Sequence, residues 1–160
     1  MHSNRCLSPF FTDTRKLDLC LREYNPFDSL LRRFEDDFYC EDQFFRYLHI
    51  DLGWIKDGLG IAMCHVPYWK RVERVIEEDD SFESIEILQP YIKFDFVGRI
   101  RSENKQEILI SIAQDLIFEL AHKRKFFIQL VTFDRCESVQ MIQTLRENGF
   151  NAGHLSVDRT

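Results

Sequence analysis

Two aspartates stand at the ends of apolar segments that alternate like β-strands. The run YLHIDLG at residues 47–53 carries Asp51, and the run FFIQLVTF at residues 126–133 leads directly into Asp134. A single carboxylate is costly to bury, whereas two at equivalent strand ends can share a divalent cation. The pattern therefore favours metal-dependent phosphodiester chemistry, with Mg²⁺ or Mn²⁺ as the ion.

Three further aspartates are weaker candidates. Asp95 lies in the middle of an apolar strand, where it either faces the site or bonds a neighbouring strand. Asp158 follows the final strand and would approach Asp134 if the last two strands are neighbours, although capping of the next turn is the favoured reading. Asp57 precedes Gly58 and is interpreted as a turn residue.

Two histidines can also be interpreted either functionally or structurally. His49 shares the strand face of Asp51 and could orient a ligand or a phosphate, but a packed, hydrogen-bonded histidine is the favoured interpretation. The same holds for His65. No His, Cys or Ser has the spacing of a zinc site or a nucleophilic triad.

The formal net charge of −6 argues against binding of nucleic acid through bulk electrostatics. Contact with a DNA backbone would have to be local, and solubilising surface charge explains the same residues equally well. The best candidates are Lys93, Arg99, Arg101 and Lys105, with the basic run 123–125. Residues 73–86 hold much of the acidic excess and are predicted to form a solvated loop, with an acidic docking site as the alternative.

Composition indicates one intracellular domain with a real core. The chain has 160 residues, of which 44% are hydrophobic and fifteen are Phe. Its five cysteines are scattered and are interpreted as reduced packing residues. No apolar stretch is long enough to span a bilayer, and the first residues lack the apolar region of a signal peptide.

The N-terminal part is predicted to be a lead, residues 1–44, that contains one amphipathic helix. Asn25 and Pro26 have the types of an N-cap and a first helical residue. Leu30, Leu31, Phe34 and Phe38 then follow at helical spacing, so the helix should end near Tyr39.

Residues 45–160 predict an α/β domain with a mixed sheet. Strands over 47–52, 59–69 and 87–100 form an antiparallel meander, and strands ending at Asp134 and Asp158 are added by helical crossovers. The helices are expected at about 106–123 and 138–148, the second closed by Gly149. The element order is βββαβαβ.

This order, with an acid on the first strand and another on the fourth, resembles the RNase H-like nuclease fold. More specifically, the segments HIDLG, DGLGIAMCHV, YIKFDFVGRI and VTFDRCESVQMIQTLRENGFNAGHLSVDRT resemble the C-terminal nuclease domain of the terminase large subunit of tailed bacteriophages. The resemblance covers residues 25–160, and its last segment is the most specific.

The resemblance implies endonucleolytic cleavage of concatemeric double-stranded viral DNA during genome packaging, in the cytoplasm of the host. It implies two divalent ions, with Asp51 and Asp134 as ligands, and the ATPase motor, small terminase subunit and portal as partners. The chain has no G-x-x-x-x-G-K-[ST] motif, so ATP hydrolysis is not expected. The family's third catalytic acid lies beyond the final strand, so the sequence is expected to be a fragment, a split gene product or an isolated domain.

Two other hypotheses stay open. The chain could be a non-catalytic terminase remnant that binds DNA or packaging partners. It could also be another RNase H-like nuclease, such as a resolvase or an RNA–DNA hybrid nuclease, because the fold alone permits either.

Overall fold

A mixed sheet of five strands organises the chain. The computed structural model describes residues 24–52, 58–78, 81–100, 110–134 and 139–155. The sheet contains β3 (Arg46–Leu52), β4 (Leu59–Glu78), β5 (Ser81–Ile100), β6 (Ile128–Phe133) and β7 (Ala152–His154), in the spatial order β5-β4-β3-β6-β7. β3, β4 and β5 form an antiparallel meander, while β6 pairs in parallel with both β3 and β7. The predicted α/β class, the meander and the mixed sheet are confirmed.

Two helices make the crossover connections. Helix α1 (Ile110–Phe118) continues into a π-helical turn, Glu119–Lys123, before β6, and helix α2 (Val139–Glu147) connects β6 to β7. Gly149 has φ +84°, and the N–H of Phe150 donates to the carbonyl of Leu145 at 2.9 Å. This is the expected glycine cap of a helix C-terminus. The predicted helical residues 106–109 and 138 lie outside the described residues.

Both helices pack on the same face of the sheet. Alternate residues of the central strands, such as Leu48, Ile50 and Ile61, are buried against Ile117 of α1 and Leu145 of α2. The strand periodicity of two leaves the residues between them on the opposite face, where Tyr47 and Val97 are exposed. That second face carries Asp51 and is accessible in the described part of the chain.

The predicted helix over residues 26–39 is wrong, because this segment forms a two-stranded hairpin. Strands β1 (Phe27–Asp28) and β2 (Arg33–Phe34) pair antiparallel. The Asp28 carboxylate accepts the backbone N–H groups of Leu30 and Leu31 at 2.8 and 3.0 Å. Such short-range bonds compete with helix formation, and a positive φ of 53° at Arg32 completes the turn.

The hairpin belongs to the core rather than to a separate lead. The Phe27 and Phe34 rings lie 4.9 Å apart and are both buried, whereas Leu30, which the helical pattern would bury, is 90% exposed. A Cβ on Gly98 of β5 would stand 2.5 Å from Phe27 Cδ1, so glycine permits this close approach. From residue 24 onward, the segment assigned to the lead therefore contributes to the domain.

The acidic segment 73–86 is not the predicted loop. Its described residues extend β4 and β5 into one continuous antiparallel ladder, from Tyr68 opposite Tyr91 to Glu78 opposite Ser81. Cross-strand pairing satisfies the backbone N–H and C=O groups of both segments. This pairing could not be predicted from the charge of one segment alone.

None of the helices in the described residues is long and apolar enough to cross a membrane.

Candidate metal centre

Asp51 lies on β3, and Asp134 directly follows the neighbouring parallel strand β6. The ladder between β3 and β6 pairs His49 with Thr132 and Ile50 with Phe133; Asp51 is the next residue of β3, and Asp134 is the first residue after β6. Adjacent strands lie about 4.8 Å apart, so the ladder brings two acids that are distant in sequence to the same edge of the sheet. This is the juxtaposition that the two strand ends predicted.

A side-chain contact shows that the two strands present these alternate residues to one face. His49 Nδ1 lies 2.9 Å from Thr132 Oγ1, two residues before each aspartate. The same hydroxyl donates to the carbonyl of Leu48 at 3.2 Å. His49 is half-buried beside this pair, as its packing interpretation predicted, and contributes to positioning the strands rather than contacting an acid.

The two aspartates differ in exposure and in hydrogen bonding. Asp51 is exposed. Asp134 is half-buried, and its Oδ1 is fully buried without a hydrogen-bond partner among the described residues. A buried carboxylate oxygen without a donor costs free energy, roughly 1 to 3 kcal/mol, that a cation or a water would recover. The pair therefore suits a hard divalent ion, which prefers carboxylate oxygens and retains several waters.

The residue opposite Asp51 on the neighbouring strand is a glycine, which leaves room beside the carboxylate. Asp51 pairs with Gly60 of β4, and Gly60 pairs with Arg99 of β5. A Cβ built on Gly60 would lie 3.7 Å from the Cβ of Asp51, on the same face. The glycine keeps one flank of the acid open, and the row places a cationic side chain beyond it, two strands from Asp51.

No group of three or more His, Cys, Asp or Glu side chains arranged to hold a metal ion occurs within residues 24–52, 58–78, 81–100, 110–134 and 139–155. The candidate centre therefore consists of two carboxylates. Asp158, predicted as a further ligand, and Asp57, predicted as a turn residue, lie outside the described residues.

Asp95, the other candidate ligand, belongs to a different cluster. Its carboxylate accepts Arg46 Nε at 3.2 Å and lies 3.0 Å from His65 Nδ1. Arg46 is 2% exposed and lies on the face of β3 opposite to Asp51. The structure therefore separates Asp95 and His65 from the two strand-end aspartates and gives them partners in a buried ion network.

The hydrogen bonds of Arg46 shift the pKa values of Asp42 and of Arg46 itself. Arg46 also donates to Asp42, through Nη2 at 2.9 Å and through Nη1, and to the carbonyl of Phe44. The hydrogen bond from Arg46 lowers the pKa of Asp42 from 3.8 to about 2. Burial alone would lower the pKa of Arg46, but the bonds to Asp42 and the charge of Asp95 outweigh it, and the pKa is raised. The bond between Asp42 and Arg46 is therefore an ion pair, and the network acts structurally.

The residues predicted to contact DNA lie in different environments. Lys93 is half-buried on β5, and Arg99 is exposed on β5 in the row of Asp51. Arg101 and Lys105 lie outside the described residues. Within the basic run, Arg124 is buried, and it donates to Glu119 at 2.8 Å and to the carbonyls of Phe34, Glu35 and Phe38. Its prediction as a DNA contact is wrong, because it holds the N-terminal segment against the helical layer.

Sequence reasoning missed Gly60, Thr132 and Arg46 as residues that build this region. The G-L-G motif before an alternating strand was a signal for Gly60. The roles of Thr132 and Arg46 could be recognised only from the strand register. Thr132 contacts His49 and Arg46 contacts Asp95, and both partners are distant in sequence.

Comparison of this chain with family models, with curated proteins and with solved structures found no match.

Proposed function

We propose that this chain is an RNase H-like, metal-dependent endonuclease domain of the terminase large subunit type, which cleaves double-stranded DNA. The observation that carries the proposal is the position of Asp51 and Asp134 directly after the last pair of the ladder between β3 and β6, with a buried oxygen on Asp134 that has no hydrogen-bond partner among the described residues. The strand order, in which the first strand of the meander is central and pairs in parallel with the fourth, supports the RNase H-like assignment.

Asp51 and Asp134 would hold Mg²⁺ or Mn²⁺. When bound, such ions activate water and stabilise the leaving oxygen of a phosphodiester. The chain's own contribution is to fix the two carboxylates through the parallel ladder and the contact between His49 and Thr132. The exposed carboxylate of Asp51 gives access from solvent, and the missing side chain at Gly60 leaves space for a DNA backbone.

Arg99 would orient that backbone. It stands in the same row as Asp51, on the accessible face of the sheet, where a guanidinium can donate two parallel hydrogen bonds to a phosphate. Because the chain is acidic overall, this local contact would position DNA, and the metal would neutralise the phosphate at the site of cleavage.

The biological setting follows from the same proposal. Concatemeric viral DNA in the cytoplasm of the host would be the substrate during genome packaging. The ATPase motor, the small terminase subunit and the portal would be the partners that deliver it.

The direct test is cleavage of supercoiled plasmid by this chain in Mn²⁺. Nicking that Asp51→Asn and Asp134→Asn both abolish, and that Asp115→Asn on an exposed position of α1 leaves intact, is the expected result. Cleavage restricted to an RNA–DNA hybrid would instead identify a hybrid nuclease. Metal binding without any cleavage by the chain would favour the non-catalytic remnant.

A further inference from the structure

Strand β5 is apolar on both faces of the sheet. On the face that packs against the helices, Phe96 and Ile100 are buried. A strand that is apolar on both faces is typical of a sheet that is covered on both sides. On the accessible face, β5 and its neighbours instead present large apolar side chains that are between 41% and 62% exposed. We call these six residues the strip: Tyr47, Trp69, Leu88, Ile92, Phe94 and Val97.

The strip crosses three strands at its end nearer the aspartates. Tyr47 pairs with Cys64, and Cys64 pairs with Phe94, so these three residues form one row on the accessible face. Val97 belongs to the neighbouring row, which is that of His49. A bulge in β5 lies between the two rows, so Phe94 and Val97 share this face although they are three residues apart.

Beyond Phe94, the strip follows the long hairpin of β4 and β5. By alternation along β5, the next residues on this side are Ile92, Pro90 and Leu88. Trp69 stands opposite Pro90 on β4. At about 3.4 Å per residue, the strip extends roughly 30 Å from Val97, in the direction away from Asp51.

The exposed apolar area of the strip is large for a single chain. Six large side chains that are about half exposed leave on the order of 600 Å² of apolar surface, at the upper end of what monomeric proteins expose. The described helices and the N-terminal hairpin pack against the opposite face of the sheet. A cover for the strip must therefore come from residues outside the described part of the chain, or from another molecule.

The N-terminal segment enters the fold beside the strip. Asn25 Nδ2 donates to the carbonyl of Val97 at 2.9 Å, so residue 23 lies within about 7 Å of Asn25 at the edge of β5. Residues 1–23 are the longest segment outside the described residues. Four residues of extended chain span up to about 14 Å, which is enough for residue 21 to reach Phe94.

The apolar residues of this segment suit such a surface. Leu17, Leu19 and Leu21 would share one side of an extended chain, whereas Leu17, Cys20 and Leu21 would share one side of a helix. In either conformation, the leucines at positions 17 and 21 face the same way. The segment therefore offers an apolar side at the distance from Asn25 that the strip requires.

We propose that residues 1–23 fold back across the accessible face of their own chain and cover the strip, with Leu17 and Leu21 against it. A segment tethered beside its binding surface acts at an effective concentration in the millimolar range, on the order of 1 mM, which favours it over a free partner. Because the strip extends away from Asp51, the cover leaves both strand-end aspartates accessible. The inference is therefore independent of the proposed nuclease activity.

Limited proteolysis of the intact chain tests the contact from the side of the strip. Trypsin cleaves after Arg15, Lys16 and Arg22, and the cleavage rate follows the fraction of molecules in which the segment is released. Phe94→Asp, which places a charge in the strip, should accelerate this cleavage at least about tenfold. The matched control is Val139→Asp, at a 50% exposed position of α2, which should change the rate less than about twofold.

Thiol labelling tests the same contact from the side of the segment. Cys64 stands beside the strip, whereas Cys40 donates its thiol to the carbonyl of Asp42. Leu21→Asp should raise the rate at which N-ethylmaleimide labels Cys64 at least about fivefold, and leave the rate at Cys40 unchanged. The matched control, Leu30→Asp in the exposed turn of the hairpin, should leave both rates within about twofold.

Concentration and added DNA distinguish the other occupants. Both rates should be independent of protein concentration from about 1 to 100 µM, because the cover belongs to the same chain. Protection that grows with concentration would identify a second copy, and protection of Cys64 that requires duplex DNA would identify DNA. Either result would overturn the proposal.

The variants give two independent results that would also overturn it. One is an equal effect of Phe94→Asp and Val139→Asp on tryptic cleavage, and the other is an unchanged labelling rate of Cys64 in Leu21→Asp. Circular dichroism confirms that each variant is folded. If Phe94→Asp does not fold, labelling of Leu21→Asp decides, because that substitution lies outside the described core.

Discussion

His49 Nδ1 and Thr132 Oγ1 lie 2.9 Å apart, and this contact joins the two strands that carry Asp51 and Asp134. His49 and Asp51 alternate along β3, Thr132 pairs with His49 on β6, and Asp134 follows β6 directly. The contact therefore fixes the two strands beside the acids, and it does so without using either carboxylate.

Removing the charge of Asp134 should stabilise the metal-free protein. Its buried Oδ1 lacks a partner among the described residues, and a second aspartate stands on the neighbouring strand. We expect Asp134→Asn to raise the free energy of unfolding by about 1 kcal/mol in EDTA. Residues that serve function often reduce stability, so replacing them often stabilises a protein. Urea denaturation with EDTA measures this. A loss of stability of similar size would show that the carboxylate is satisfied structurally.

The buried network at Arg46 should be among the most sensitive positions in the fold. Arg46→Met leaves the carboxylate of Asp95, which lies in a buried environment, without its guanidinium. We expect a loss of about 3 to 5 kcal/mol in the free energy of unfolding. The matched control is Arg71→Met, whose exposed pair with Glu86 should contribute about 0 to 1 kcal/mol. Equal effects of the two substitutions would contradict a buried structural role for Arg46.

The pH dependence of stability should report the bond between Asp42 and Arg46. The pKa of Asp42 is about 2 in the folded chain, against an ordinary 3.8. A depressed carboxyl pKa contributes stability above about pH 4, and this contribution is lost as the pH falls toward 2. Asp42→Asn should therefore be less stable than the parent at pH 5 and approach it by pH 2. A stability difference that stays constant across this window would contradict the pairing.

Gly98 should be intolerant of a side chain because the N-terminal hairpin packs against it. A Cβ there would meet Phe27 Cδ1 at 2.5 Å. We expect Gly98→Ala to cost about 1 to 3 kcal/mol of stability by overpacking. Combined with Phe27→Leu, its cost should fall, and a double-mutant cycle measures the coupling. Strict additivity of the two substitutions would place the hairpin elsewhere.

The sheet could be predicted largely from the sequence because its signals are local. Alternation from Tyr47 to Leu52, the helical period predicted from about residue 106, and Gly149 at a helix end each depend on near neighbours. The strand ends at Asp51 and Asp134 follow from the same patterns. Their parallel register then brings the two acids together, which crossover topology predicts.

The remaining structure depends on contacts between distant residues. Leu30, Phe34 and Phe38 have helical spacing. The segment is nevertheless a hairpin, because the Asp28 carboxylate accepts the N–H of Leu30 in the turn and Phe34 packs against Phe96 of β5. The charged hairpin of β4 and β5 forms because its two strands pair with each other, and this pairing cannot be predicted from charge composition. Arg124 is likewise surrounded by basic neighbours in sequence, and only the fold brings the carbonyls that it binds.

Calorimetric titration of Mn²⁺ into the intact chain and into Asp51→Asn tests the central claim most directly, because binding does not require catalysis. Asp115→Asn, on an exposed position of α1, serves as the matched control. We expect saturable binding in the parent chain and in the control, and a loss of at least about tenfold in affinity in Asp51→Asn and in Asp134→Asn. Absence of binding in the folded parent chain, or equal binding in all four proteins, would contradict a metal centre at these two aspartates.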